Sequence, residues 1–197
     1  MREILRETAA ADSALAETTV AEHVLYRGKI VTLRRDEARL PNGLPCVREV
    51  VEHPGGVCVA ALTGEQELLL VRQFRYPYGE ILLELPAGKL EPGEDPLLAG
   101  QRELREETGA TAEKYESLGV FYPTPGYCGE KIYMYLARGL TFQAPQPDDD
   151  EFLQCLRVPL GEAVRMVLRN EVADGKTQAG VLKTAALCGA LQNRFPA

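Results

Sequence analysis

One stretch, Gly88 to Gly109, constrains this chain more than any other part of its 197 residues. Asp95 followed by Pro96 reads as a helix start, with aspartate as N-cap and proline at the first helical position. Gly109 falls where a glycine would end that helix, so the spacing predicts about four turns between them. Glu103, Glu106 and Glu107 stand on it at i, i+3 and i+4, so three carboxylates leave one face within a single turn. Like charges at that spacing repel, and the C-terminal half of a helix disfavours anions through its dipole. Taken alone, with Arg102 and Arg105 interleaved, the three glutamates are a solvated charged face. Packed together as they are, they need a compensating charge.

The remaining sequence frames this helix with strands. Ala21 to Tyr26, Lys29 to Arg34 and Cys46 to Val51 are short β-prone runs, the last two separated by Pro41-Asn42-Gly43, and they suggest hairpins in a small N-terminal sheet. Residues 1 to about 18 are a weakly patterned Ala/Glu/Thr-rich lead-in, frayed or helical. After His53-Pro54-Gly55-Gly56, the apolar runs Val57 to Leu62, Glu67 to Phe74 and Ile81 to Leu85 read as core strands, the first two joined by a turn at Thr63 to Gln66. Tyr115 to Phe121 and Lys131 to Ala137 add two strands beyond the helix, and helices at Gly161 to Arg169 and Thr177 to Gln192 close the chain. Ala144 to Glu151, with its prolines and acidic run, is a polar loop. Strands on both sides of a central helix make a mixed α/β domain.

Composition excludes several functions. A net charge of -7 argues against a protein that gains affinity by neutralising nucleic-acid phosphates. Five scattered cysteines lack the spacing of a zinc site or a disulfide framework and suit a reducing compartment. The first residues carry acids where a signal peptide is apolar, and no apolar run reaches membrane-spanning length, so the expectation is a cytoplasmic protein without a membrane partner. Two histidines, His23 and His53, and the lack of G-x-S-x-G leave no nucleophile system to argue for.

The decisive pattern is wider than the helix. Gly88, Glu94, Arg102, Glu103, Glu106, Glu107 and Gly109 fit G-x5-E-x7-R-E-x2-E-E-x-G, with Leu104 and Ala110 at positions that take an aliphatic residue. A chance match in a chain this long is on the order of one in 10^5. The stretch resembles the Nudix box at every defining position. The resemblance implies a Nudix-type α/β/α sandwich with a small N-terminal antiparallel sheet, residues 1–54 being an N-terminal β segment expected to dimerise and residues 55–197 the catalytic domain. It implies a divalent metal, Mg2+ with Mn2+ as the alternative, held by Glu103, Glu107, Glu106 and the backbone carbonyl of Ala87. Hard oxygen donors suit such a cation, which takes further ligands from water and phosphate. Arg102 would orient a carboxylate, with Glu94 as its partner or as an additional ligand.

Flanking segments narrow the resemblance. Leu25-Tyr26-Arg27-Gly28-Lys29, Leu40-Pro41-Asn42-Gly43, Arg48 to Gly55, Arg72 to Pro77 and Glu84 to Gly88 look, in order, like the ADP-ribose pyrophosphatase family. Pro125, sixteen residues past Gly109, stands at that family's distinguishing proline. The implied substrate pocket uses Arg48 and Arg75 for phosphate and ribose oxygens, Glu49 for hydroxyl or amino groups, and Pro125. With no tryptophan in the chain, aromatic contacts to adenine fall to residues such as Tyr26 and Phe74. A general base is expected from Asp148 to Glu151, Asp149 and Glu151 among them, and a metal hydroxide needing no separate base is the alternative. The last helix, Thr177 to Ala185, is assigned packing. The implied reaction is hydrolysis of ADP-ribose to AMP and ribose 5-phosphate by a homodimer. The alternatives are another ADP-sugar, NADH or a dinucleoside polyphosphate as substrate, a nucleotide-binding module without catalysis, and an interaction domain.

Overall fold

The structure is a computed structural model that describes residues 14–146 and 152–190. Two compact units divide them: the first takes the residues up to His53 together with Thr124–Glu130, the second Pro54–Pro123 and the residues from Lys131 onward. The excursion of Thr124–Glu130 into the first unit is invisible in a linear boundary. It arises because Val51 donates its N–H to the Tyr127 carbonyl (2.8 Å) and accepts at its own carbonyl from Gly129 (2.9 Å).

The first unit is an antiparallel sheet of β1 (Thr18–Arg27), β2 (Thr32–Arg39) and β3 (Pro45–Glu52), in that order. The β2–β3 turn sits at the Pro41-Asn42-Gly43 segment, where Leu40 N–H meets the Leu44 carbonyl at 2.9 Å and Asn42 Oδ1 accepts from Leu44 N–H. Strand β2 starts later than the run from Lys29 suggests, because Gly28 N–H closes a turn onto the Val31 carbonyl at 2.9 Å. It then continues through four charged residues, Arg34 to Glu37, where Arg34 donates to Asp36 at 2.7 Å and to Glu52 across the strand pair. Cross-strand charge pairing of this kind compensates for weak β-propensity.

The second unit contains β4 (Gly56–Ala61), β5 (Glu67–Arg75), β6 (Glu80–Glu84), β7 (Ala87–Lys89), α1 (Pro96–Thr108), β8 (Ala110–Phe121), β9 (Ile132–Phe142), β10 (Leu153–Pro159), α2 (Leu160–Leu168) and α3 (Gly175–Leu187). Its sheets run β7-β4-β9-β8 and β10-β5-β6, with β4 and β9 parallel. Strand β4 is buried along its whole length, and its alternating side chains serve two cores. Cys58 and Ala60 pack with Leu68, Leu70, Leu85, Met134 and the inner faces of α2 and α3, whereas Val59 and Ala61 pack with Leu69, Leu104 of α1 and Ala137. A period of two on a strand with helices on both faces gives the α/β/α sandwich.

Helix α1 begins and ends where Asp95, Pro96 and Gly109 predict. Asp95 accepts from Leu97 and Leu98 N–H groups at 2.9 and 3.1 Å, and Gly109, at φ 70°, donates to the Arg105 carbonyl at 2.8 Å. A β-carbon on Gly109 would lie 2.1 Å from the Gln143 carbonyl oxygen. Gly109→Ala therefore meets a left-handed φ and a backbone clash together, and is expected to cost about 2 kcal/mol or more of stability in urea unfolding. A loss below about 0.5 kcal/mol would mean that the backbone after β9 yields freely at this point.

Candidate active site

Helical geometry divides the three glutamates. Glu103, Leu104 and Glu107 lie on the buried side of α1 with Ala99, Gly100 and Thr108, Glu106 is half-buried at the margin, and Arg105 faces outward. At about 100° per residue, positions i and i+4 stay together while i+3 turns toward the rim. The compensating charge that the sequence demands is Arg102. Its guanidinium donates to Glu94 (Nε to Oε1, 3.0 Å; Nη2 to Oε2, 3.2 Å), to Glu103 (2.8 Å) and to Glu106 (3.0 Å). Hydrogen bonding to Glu94 foremost, with the charges of Glu103 and bonds to Glu103 and Glu106, holds the Arg102 proton more tightly than usual. The same contact holds the Glu94 carboxyl below the ordinary carboxylate range. Glu94 is thus the partner of Arg102, and its Oε2 also accepts from Glu91 N–H at 2.9 Å.

The other wall of the site is the backbone of β7. Ala87 donates its N–H to Glu107 Oε2 at 3.0 Å. Gly88 acts by leaving room rather than by bending: a β-carbon there would fall 1.9 Å from Glu103 Oε1 and 2.4 Å from Oε2. The Glu103 carboxylate therefore lies against the strand in a cradle that any side chain would fill. Among the described residues, no three acidic, thiol or imidazole side chains converge closely enough to hold an ion on their own. Magnesium does not require that, since it binds through one or two carboxylates and completes its shell with waters and phosphate oxygens. Two buried carboxylates beside an open strand backbone, with a third at the rim, fit such a cation.

Arg75, at the end of β5, makes a two-pronged pair with the buried Glu84 of β6, Nε to Oε1 at 2.6 Å and Nη2 to Oε2 at 2.7 Å. Lys176 of α3 donates to the same carboxylate. Burial works against the charge on Glu84, but Arg75 and Lys176 outweigh it and hold the carboxyl below its usual range. This pairing is absent from the sequence reading, in which α3 only packs. A lone glutamate inside the apolar run Ile81 to Leu85 and a lysine at a helix start are the signals that could have revealed it. The helix itself begins at Gly175, capped by Asp174, and ends at Leu187 instead of Gln192, a position outside the described residues.

Arg48, Glu49 and Pro125 belong to the first unit. Arg48 and Glu49 are exposed on β3, Arg48 donating to Glu17 (2.8 Å), and Pro125 is in the turn that Val51 ties to that strand. The acidic candidates Asp149 and Glu151 lie outside the described residues, as does the lead-in 1–13. The chain approaches that loop through Gln146, whose N–H bonds the Glu106 carbonyl at 2.9 Å, and enters β10 at Leu153, paired with Gln73 of β5. No helix of the described residues is long and apolar enough to cross a membrane.

The Nudix domain model matches residues 52–178, and the model of the nucleoside diphosphate sugar hydrolase N-terminal domain matches residues 17–51. The chain is 41% identical over 166 residues to an ADP-ribose pyrophosphatase of Bacillus subtilis, covering 83% of this chain and 90% of the relative. An ADP-ribose pyrophosphatase of Mycobacterium tuberculosis is 40% identical over 172 residues (86% and 83%), and a methanol dehydrogenase activator of Bacillus methanolicus 40% identical over 167 (84% and 90%). The crystal structure of an ADP compounds hydrolase superposes with a TM-score of 0.78 over 92% of this chain and 98% of that one, a likeness of fold at 21% identity. Matched along most of its length and carrying the box intact on a helix that seats it against β7, the chain belongs to the Nudix family of hydrolases.

Proposed function

We propose that the protein hydrolyses ADP-ribose to AMP and ribose 5-phosphate, water attacking one phosphorus of the diphosphate while the bond from that phosphorus to the bridging oxygen breaks. The observation that carries this reading is the Arg102-centred cluster of Glu103 and Glu106, with Glu107 on the Ala87 backbone, in a chain whose relatives include ADP-ribose pyrophosphatases. Glu103, Glu106, Glu107 and the Ala87 carbonyl would hold the divalent cation, Mg2+ or alternatively Mn2+. When bound, it neutralises diphosphate charge and activates the attacking water. Arg102 orients Glu94, Glu103 and Glu106 through its hydrogen bonds. Arg75 meets the diphosphate with the guanidinium edge that Glu84 does not use, and Arg48, Glu49 and Pro125 serve the rest of the substrate. A carboxylate of the acidic loop, Asp149 or Glu151, takes the proton of the attacking water. In support, the chain enters that loop from Gln146, bonded to the end of α1 at Glu106.

Product analysis tests the reading. ADP-ribose, NADH, ADP-glucose and diadenosine polyphosphates are each incubated with the protein, with and without Mg2+. The expected result is Mg2+-dependent release of AMP from ADP-ribose well ahead of the other compounds. Faster turnover of another one replaces the substrate, and no metal-dependent hydrolysis of any replaces catalysis with nucleotide binding.

The working form is a homodimer in the cytoplasm. Supporting the dimer, the first unit exposes Val20, Val24, Leu25 and Tyr26 on β1 and Val47 on β3, apolar side chains that a second copy could cover. Sedimentation equilibrium is expected to give twice the chain mass of 21.7 kDa, and a single-chain mass at micromolar concentration would refute it.

A further inference from the structure

Four charged side chains of the second unit form a chain of contacts that the hydrolysis reading leaves largely unused. Asp174 caps α3 by accepting from Thr177 N–H at 2.9 Å, and it pairs with Lys176 at 3.0 Å. Lys176 donates to Glu84, and Glu84 receives both prongs of Arg75. Thr177 Oγ1, itself donating to Asp174, accepts from Leu85 N–H at 2.9 Å, so the first turn of α3 grips the last residue of β6 and the residue after it. The Glu84 side chain is 2% exposed and that of Lys176 12%. Two cations and two anions balance. Removing any one leaves an uncompensated charge in a poorly solvated place.

Arg75 spends Nε and Nη2 on Glu84, and among the described residues Nη1 has no partner. A guanidinium clamped along one edge presents the remaining N–H groups in a fixed direction. It is also within electrostatic reach of Glu107. Arg75 is one of two cations that hold the buried Glu84 carboxylate. Lys176, tethered to the helix cap, supplies the second point of attachment.

We propose that Lys176 is a positioning residue: through Glu84 it fixes the Arg75 guanidinium in the orientation that receives the substrate diphosphate. This rests on the reading that Arg75 meets the diphosphate. The role differs from a plain helix staple, because it predicts coupling to Arg75.

The test is a double-mutant cycle of Lys176→Met and Arg75→Ala, with Lys176→Arg as the conservative variant. The readouts are the Kd for ADP by calorimetry in Mg2+, KM and kcat for ADP-ribose, and the melting temperature. Lys176→Met is expected to raise Kd and KM about tenfold, the scale of lost outer-shell support, with kcat changed much less. Lys176→Arg should recover most of that loss, and on the Arg75→Ala background Lys176→Met should add nothing. Multiplying effects, or a fall in melting temperature with Kd unmoved, would overturn the proposal. So would an Arg75→Ala variant that binds ADP normally. A wild-type protein that leaves ADP-ribose intact removes the substrate reading alone, since the ADP-binding cycle still decides the role of Lys176.

Discussion

Glu107→Gln is expected to lower ADP-ribose turnover by about 10^3-fold, the scale of losing one preorganised charge-stabilising group, and to leave the fold intact. The side chain is 1% exposed and accepts the Ala87 N–H at 3.0 Å, a bond the amide oxygen of glutamine can also accept. The substitution removes a full negative charge and a hard oxygen donor without changing shape. It also relieves repulsion with Glu103 one turn earlier. The melting temperature should therefore stay level or rise while turnover collapses. Turnover within about tenfold of wild type would strike Glu107 from the ligand set, and loss of the folded state would assign it a purely structural part.

Gly88→Ala is expected to behave almost as severely, though it alters no charged group. Its β-carbon would stand where the Glu103 carboxylate lies. The obstructed atoms are the far end of a flexible side chain, so Glu103 can swing aside at small cost to the fold. The expected outcome is a loss of about 100-fold in turnover, as for displacing a reacting group by an ångström, with a far smaller change in unfolding free energy. Raising Mg2+ should restore part of it if the displaced carboxylate is a ligand. Wild-type turnover would show that the seat of Glu103 against β7 has no part in catalysis.

Local signals made α1 legible. An N-cap followed by proline, a left-handed glycine and the box spacing are all decided within a few residues, and the structure reproduces both ends. Features fixed at long range were less so. Strand β10 lies outside the strands expected from the sequence, because Leu153 to Pro159 becomes a strand through antiparallel pairing with β5, some eighty residues away (Leu153 with Gln73). Strands β8 and β9 run past their apolar segments, to Ala110 and Phe142, since each completes the other's ladder there. The same holds for the site. The compensating arginine was foreseeable because it shares the helix with its glutamates. The union of Glu84 with Lys176 required the tertiary fold to bring a strand end and a helix start together.

The central position of β4 bears on how the chain is made. Its parallel partner β9 pairs Gly56 with Ile132 and Ala61 with Ala137, so the two emerge from a ribosome far apart in time. Parallel pairing across such a separation is slow, because the intervening chain must be closed into a loop before any contact repays it. During that interval β4 already has β7 on one edge, antiparallel and close in sequence, while its other edge stands open. Association between nascent copies through that edge is open from the emergence of β4 to the emergence of β9. A pause in translation placed before β9 has left the ribosome would lengthen that window, whereas a later one would find the central sheet able to close.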